Sequence, residues 1–525
     1  MTHSGAVVAF ALAFCACGPS TRGTPADAFT DHDHDGYSVE GGDCDDNDPA
    51  IHPDVSETCG DGIDNNCNGM IDTADYDCFT PCQKAAFDRS SVGCVYYAVD
   101  TNSIGGPYAV AVSNIDPAAT ANVVIETKTG TTWAPVAGGT LTVMPRGLKT
   151  VTLPRKTVGG SQLVAGGAYR ITSDIPVIGY QFAPIDGSAS FLSDASLLLP
   201  ASAFDRYYIV SAWPYGVDQG GSPRDAHIQI AASEPTNVTV TSPVATTAGP
   251  GAAALAPNVP HTYAMTEGDY LQLTVQTIDQ SLTGTYIESD KPVAVFSSND
   301  CANVPNVPDR CCCDHLEEQL FGLQTWGTSY VGAQMPKRGA EGAVWQILAQ
   351  QDNTTVTFTP GAGVTGLPPT VTLSARQKVE YTVTGGATPG DFLVTSDKAI
   401  LVNQFTVGSF VVQENGDVGD PDMVQAIPTE QYLAHYNILV PGTWINDFLV
   451  LIRKTGATVM VDGIPPGVPW RTLAGGWETA VVPVPDGVHV LDGSAPFGVA
   501  VSGYDSYDSY SYPGGLGQAV INPIF

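Results

Sequence analysis

The chain has 525 residues, with 56 Gly, 39 Pro and only 14% charged side chains, so it has room for several domains and favours short strands over long helices. Its 54 acidic and 21 basic residues give a formal net charge of −33, which excludes a nucleic-acid partner, because phosphate recognition needs a basic surface. The acid is concentrated: residues 31–78 hold 13 Asp and 2 Glu with no Lys or Arg, so that stretch is either a solvated linker or a cation binder.

The first predicted element is an export signal. Residues 6–13 form an apolar run too short to span a bilayer as a mature helix. Phe14-Cys15-Ala16-Cys17-Gly18 follows and resembles a bacterial lipobox, with a small residue before Cys17, the expected lipidation site. It departs from that pattern in lacking Lys or Arg before the apolar run and in carrying Phe14. The expected division is a signal peptide with lipobox at 1–17 and a linker at 18–30. The expected location is the outer face of a bacterial outer membrane, held by the lipid anchor, with a cleaved signal and secretion as the alternative. No later segment is long and apolar enough to span a membrane.

Residues 31–81 read as an acidic, Cys-rich metal-binding module. Asp31, Asp33 and Asp35 occupy positions 1, 3 and 5 of a calcium loop, Gly36 position 6, and Tyr37 offers a carbonyl at 7. Gly42 stands where an acid is expected at position 12, and Asp43 is the substitute. A second loop places Asp64, Asn66 and Asn68 at 1, 3 and 5, Gly69 at 6, the Met70 carbonyl at 7, Asp72 at 9 and Asp75 at 12. No helices flank these loops, so they stand apart from an EF-hand. Carboxylates this dense repel one another, so the segment is expected to fold only with metal and disulfides. The stretches D-x-D-x-D-G-Y at 31–37, D-C-D-D at 43–46, H-P at 52–53 and C-G-D-G-I-D-N-N-C-N-G-x-I-D at 59–72 resemble the MopE-type metal-binding motif. That resemblance implies copper, for which His32, His34 and His52 offer nitrogen ligands. The loop spacing favours calcium, with these histidines as exposed loop residues.

Ten cysteines follow Cys17, at 44, 59, 67, 78, 82, 94, 301, 311, 312 and 313, and in an exported chain they read as disulfides. Cys82 and Cys94 are expected to close a small loop. The connectivity of the others stays open.

The remainder carries an internal repeat. Ile171-Thr-Ser-Asp-Ile-Pro-Val-Ile-Gly-Tyr180 returns as Ile287 to Phe296, as Val394 to Asn403 and, worn, as Leu491 to Ala500. A spacing near 100 residues suits β-sandwich modules. Strands are predicted at 344–349, 354–359, 370–373, 379–382, 392–395 and 400–405, with Ser-Asp-x-Pro as a turn. The predicted fold is all-β, with tandem β-sandwich-like modules at 82–200, 201–310, 311–430 and 431–525. The alternative is a β-propeller.

Val295-Phe-Ser-Ser-Asn-Asp-Cys301, Asn303-Val-Pro305, Cys313-Asp-His-Leu-Glu-Glu-Gln-Leu320, Trp326-Gly327, Tyr96-Tyr-Ala-Val99 and Ser511-Tyr-Pro-Gly-Gly515 resemble the IgGFc-binding protein N-terminal domain over residues 82–525. The resemblance implies an extracellular adhesive or ligand-binding role, and a loop disulfide from Cys301 to one of Cys311, Cys312 and Cys313. The other two cysteines are expected to pair or stay reactive, and a zinc site with Asp314 or His315 is the minor alternative. His315 is read as a loop histidine, because no nucleophile stands beside it at a recognisable spacing. Three functions follow. The first is a calcium-stabilised adhesive scaffold, not an enzyme, taking an extracellular protein or glycan ligand. The second is a copper-binding surface protein. The third is a hydrolase with accessory modules, for which Glu317, Glu318 and Asp420 offer no paired-carboxylate argument.

Overall fold

The computed structural model describes residues 30–185, 192–308, 310, 312–412 and 418–524. The signal peptide, Cys17, linker residues 18–29 and Cys311 lie outside the described residues. The chain divides into two compact units, 1–80 and 81–525.

The N-terminal unit has no strands among its described residues, only short 3₁₀ turns at Val39–Gly41, Asp72–Ala74 and Tyr76–Cys78. Ile51 is its one buried apolar side chain among the described residues, while Met70, Ile63, Ile71 and Tyr76 are exposed. An apolar core therefore cannot hold it. Two disulfides, Cys44–Cys67 and Cys59–Cys78, cross-link it.

The second unit is built of strands, apart from a helix at Pro81–Asp88 and short helical turns. Among the described residues its sheets contain seven, eight, four, four and seven strands, with a two-stranded ribbon. They pack in sandwich-like layers, with no propeller among the described residues. The two four-stranded sheets illustrate the packing: Tyr330, Phe358, Phe392 and Val394 of one meet Trp345, Ile347, Ile400 and Val402 of the other. The six strands predicted between 344 and 405 are all present. No helix among the described residues is long and apolar enough to cross a membrane.

Eight strands organise this unit: β1 Tyr169–Phe182, β2 Ala195–Leu198, β3 Tyr286–Ala302, β4 Asp314–Gln319, β5 Ile400–Phe405, β6 Met423–Gln425, β7 Gly487–Asp505 and β8 Asp508–Pro513. Each odd-numbered strand pairs with the even-numbered one that follows it. The four short strands are wholly buried and meet at the centre. There β2 packs on β4 and β8, and β6 packs on β4 and β8. Side chains join these strands where backbone ladders do not. The Leu199 amide donates to Gln319 Oε1 at 2.8 Å, and Gln425 Nε2 donates to the Gln319 carbonyl at 3.0 Å.

The Ser-Asp-x-Pro segment, predicted as a turn, is in β1 and β3 a corner inside a continuous strand. In β1, residues 169–173 pair with 123–127 and residues 177–182 with 109–114, while 93–98 pairs on both sides across a register shift, so the corner carries the chain from one partner strand to the next. Ser and Asp achieve this locally. Asp174 Oδ1 accepts the Asn122 amide at 2.7 Å, and Asp397 Oδ1 accepts the Thr355 amide at 2.7 Å. The Ser289 and Ser396 hydroxyls donate to carbonyls two residues ahead, at 2.7 and 2.6 Å.

A second repeated device sits on these corners. Tyr96, Tyr208, Tyr330 and Tyr436 are all buried. Their hydroxyls donate to the carbonyls of Val177, Val293, Ile400 and Phe497, at 2.5 to 2.7 Å. Three of the same hydroxyls accept an amide three residues upstream, from Asp205, Gly327 and Leu433.

The expected Cys82–Cys94 disulfide is present, and Cys301 pairs with Cys313. Cys312 is also disulfide-bonded. These cysteines are therefore not thiolates available to zinc. Replacing both Cys301 and Cys313 by Ser is expected to lower stability by about 2–4 kcal/mol, read from the denaturation midpoint.

Candidate metal centre

The first loop is held by its own carboxylates. Asp31 accepts the amides of His34 and Gly36 at 2.5 and 3.0 Å. Asp33 Oδ1 accepts the Asp35 amide at 3.2 Å, and Asp35 Oδ1 accepts the Tyr37 amide at 2.8 Å. Gly36 has φ +108°, a left-handed conformation that explains Gly at position 6. Both oxygens of Asp31 and one oxygen each of Asp33 and Asp35 thus shape the loop. Asp33 Oδ2, Asp35 Oδ2 and Asp43 Oδ2 are buried with no hydrogen-bond partner.

Their residues belong to two convergent sets. One ligand atom from each of Asp31, Asp33 and Asp35 lies within 4.8 Å of the others, and so do atoms of Asp33, Asp43 and Asp46. Asp43, the expected substitute for the acid at position 12, is 3% exposed and converges with Asp33 and Asp46. Sequence spacing missed Asp46, whose signal was the D-C-D-D stretch. Burial first, then the charges of Asp35, Asp31 and Asp46, hold Asp33 above the ordinary carboxylate range. Burial first, then Asp35, Asp33 and Asp46, do the same to Asp43. Oxygen ligands with no donor and too much mutual charge fit a hard cation such as calcium.

The second loop is assembled differently. Asp64 accepts the amides of Asn68 and Gly69 at 3.1 and 2.9 Å, and Gly69 has φ +90°. The side-chain amides of Asn66 and Asn68 both donate to Asp75 Oδ2, at 3.0 and 2.8 Å. Asp64, Asn66, Asn68 and Asp75 are therefore brought together. Asp72 is not: its carboxylate caps the turn at 60–62, accepting the Gly60, Asp61 and Gly62 amides. The Met70 side chain is 53% exposed, and its amide donates to Asn68 Oδ1 at 2.8 Å. Glu57, which spacing did not single out, accepts the Asn65 and Asp72 amides and ties the loop to the module.

Two of the three imidazoles are engaged in this fold, and His52 Nε2 also lies 3.9 Å from Asp35 Oδ2. His32 Nδ1 lies 2.7 Å from Asp46 Oδ2, and that bond holds the Asp46 carboxyl below its usual range. His52 Nδ1 lies 2.6 Å from the Pro53 carbonyl, and its ring stacks on Tyr37 with centroids 5.0 Å apart. Tyr37 also donates from its hydroxyl to Asp54 Oδ2 at 2.5 Å. His34 has φ +67° and belongs to the loop. Two three-carboxylate groups that could hold a metal ion are thus present among the described residues, and no imidazole belongs to either.

In the second unit, Glu317, Glu318 and Asp420 are fully buried, out of reach of a substrate. His315 lies in β4, not in a loop, and is also fully buried, with Nε2 3.1 Å from Thr101 Oγ1. Burial drives its pKa down to about 3, so it is neutral.

Comparison with known proteins agrees with this division. Residues 43–73 match a metal-binding motif of the Cu-binding MopE type. The human IgGFc-binding protein is 24% identical over 270 residues, which cover 49% of this chain and 5% of that protein. The chain therefore spans a small part of that relative's length. Residues 194–503, more than half of the chain, match the IgGFc binding protein family, and the chain belongs to that family.

Proposed function

We propose that this protein is an exported, lipid-anchored surface scaffold whose calcium-stiffened N-terminal unit carries a β unit that binds an extracellular protein or glycan. The observation that carries the calcium reading is the trio of buried oxygens without partners on Asp33, Asp35 and Asp43. A module lacking an apolar core and cross-linked by two disulfides needs those charges neutralised to stay folded. Asp31, Asp33, Asp35 and Asp43, with the Tyr37 carbonyl and Asp46, would hold one ion. Asp64, Asn66, Asn68 and Asp75, with the Met70 carbonyl, would hold another, and Asp72 serves the adjacent turn.

The binding role is supported by family membership, since the matched family is one of binding proteins. Lipid anchoring at Cys17, and a place on the outer face of a bacterial outer membrane, rest on the lipobox-like sequence. The four-module division belongs to the same proposal, supported by the fourfold recurrence of the tyrosine–carbonyl bond.

Copper is the second reading, favoured by the motif that residues 43–73 match. Titration separates the two. Calcium binding by the oxidised protein with little response to copper supports the first reading, and tight copper binding without a calcium response supports the second. Anchoring is tested by incorporation of labelled palmitate, which Cys17→Ser should abolish. The ligand class is tested by probing glycan and protein arrays with calcium-loaded protein. Binding that survives Asp33→Asn with Asp64→Asn would place the contact in the β unit.

A further inference from the structure

Among the described residues, the centre of the β unit gathers more buried carboxylates than buried cations, Arg338 being the buried base beside them. Tyr180, Phe296, Asn403 and Ala500 hold the same place in the four repeats, and they pair with Leu197, Gln319, Gln425 and Pro513. Five residues before each partner stand Leu192, Asp314, Asp420 and Asp508. Three of the four repeats therefore put an aspartate at one end of the central strands. All three are 0% exposed, as are Asp194 and Asp422 close by.

Hydrogen bonds bring the three together. The Ser509 amide donates to Asp314 Oδ2 at 3.2 Å, and its hydroxyl donates to the Asp420 carbonyl at 2.7 Å. The Asp420 amide donates to Ser509 Oγ at 2.8 Å. Ser193 donates its amide and hydroxyl to Asp508 Oδ1, at 3.1 and 2.6 Å. The Ser409 amide donates to Asp420 Oδ1 at 2.7 Å, and the His315 amide to Asp314 Oδ1 at 2.8 Å. Asp420 Oδ2 and Asp508 Oδ2 remain, both buried and without a partner. Arg338 is the basic side chain whose charge reaches Asp420, and its guanidinium also donates to the Val407 and Val418 carbonyls.

The negative charge can be neutralised by protons or by a metal ion. The hydrogen-bond partners of these carboxylates are donors, which favours the ionised form, while burial works against it. Left ionised without a counter-charge, a buried carboxylate is strongly destabilising. A hard cation beside the unpartnered Asp420 Oδ2 and Asp508 Oδ2 supplies that counter-charge. Among the described residues, the acidic triplets that already converge within 4.8 Å are in the N-terminal unit. A central ion would thus draw on two carboxylates and complete its shell from hydroxyls, carbonyls and water.

We propose that a divalent cation of the calcium class binds at this centre, held by Asp420 and Asp508 beside Asp314, and ties the four repeats together. The test uses the full chain with its N-terminal loops disabled by Asp33→Asn and Asp64→Asn. After preparation in calcium and exhaustive dialysis, metal is counted by mass spectrometry. About one retained equivalent is expected, exchanging slowly because its ligands are fully buried. Adding Asp420→Asn and Asp508→Asn should remove that equivalent and lower the denaturation midpoint. The proposal is overturned if the loop-disabled chain retains no divalent metal. It is also overturned if the central substitutions leave the metal in place, or raise the midpoint in a metal-free chain, as relief of proton-neutralised carboxyls would. The count on the loop-disabled chain alters nothing at the centre, so the test stands even if the central variant does not fold.

Discussion

Stripping metal from the oxidised protein with a chelator is expected to unfold residues 31–78 and leave the strands between 93 and 513 protected. The asymmetry follows from what each unit has to hold it. The β unit buries large apolar clusters, whereas the N-terminal unit buries one apolar side chain among its described residues. Its two disulfides limit how far the unfolded chain expands but cannot offset repulsion among Asp31, Asp33, Asp35, Asp43 and Asp46. Calcium loops in extracellular modules bind with Kd on the order of 10⁻⁴–10⁻³ M. At ten times Kd, each occupied site adds about 1.4 kcal/mol of stability. Two sites together make the difference between a folded and an unfolded module of this size. Hydrogen exchange checks this: amides of residues 31–78 should lose protection on chelation and regain it on adding calcium. Asp33→Asn with Asp64→Asn should show the chelated pattern even in calcium. Equal protection with and without metal would count against the calcium account.

Tyr330→Phe is expected to destabilise the β unit by about 2–4 kcal/mol, because each of two buried groups left without a partner costs about 1–3 kcal/mol. The hydroxyl donates to the Ile400 carbonyl at 2.5 Å and accepts the Gly327 amide at 3.1 Å, in a fully buried setting. Removing one oxygen strands both groups without changing the shape of the ring. The same reasoning applies to Tyr208 and Tyr436. Tyr207→Phe is the control, since Tyr207 is half-buried, and should shift stability by less than about 0.5 kcal/mol. Urea denaturation separates the outcomes: the midpoint should fall for Tyr330→Phe with the slope unchanged.

Much of this architecture was legible in the residues. Alternation at 354–359 matched a strand with period-2 burial, a local property, whereas the strand at 344–349 is present but buried on both faces, so its burial does not alternate. Gly36 and Gly69 marked the loops because only a left-handed residue closes them. The Cys82–Cys94 pair was close in sequence. Longer-range features were not legible. The Ser-Asp-x-Pro turn proved a corner within a strand, because whether such a segment reverses the chain depends on which sheets wait on either side. The four locking tyrosines have no local signature, since their partners lie 61 to 85 residues away. Asp72 filled a ligand position by spacing, yet the 60–62 amides claimed it. The acids of the central strands looked scattered because the topology that gathers them joins residues 89 and 195 positions apart.

The most direct test is a calorimetric titration of the oxidised full chain with calcium and, separately, with copper, followed by hydrogen exchange over residues 31–78. The account predicts at least two calcium equivalents in the weak extracellular range, with protection appearing as they bind. Tight copper binding that alone orders the module, or no response to either metal, would contradict it.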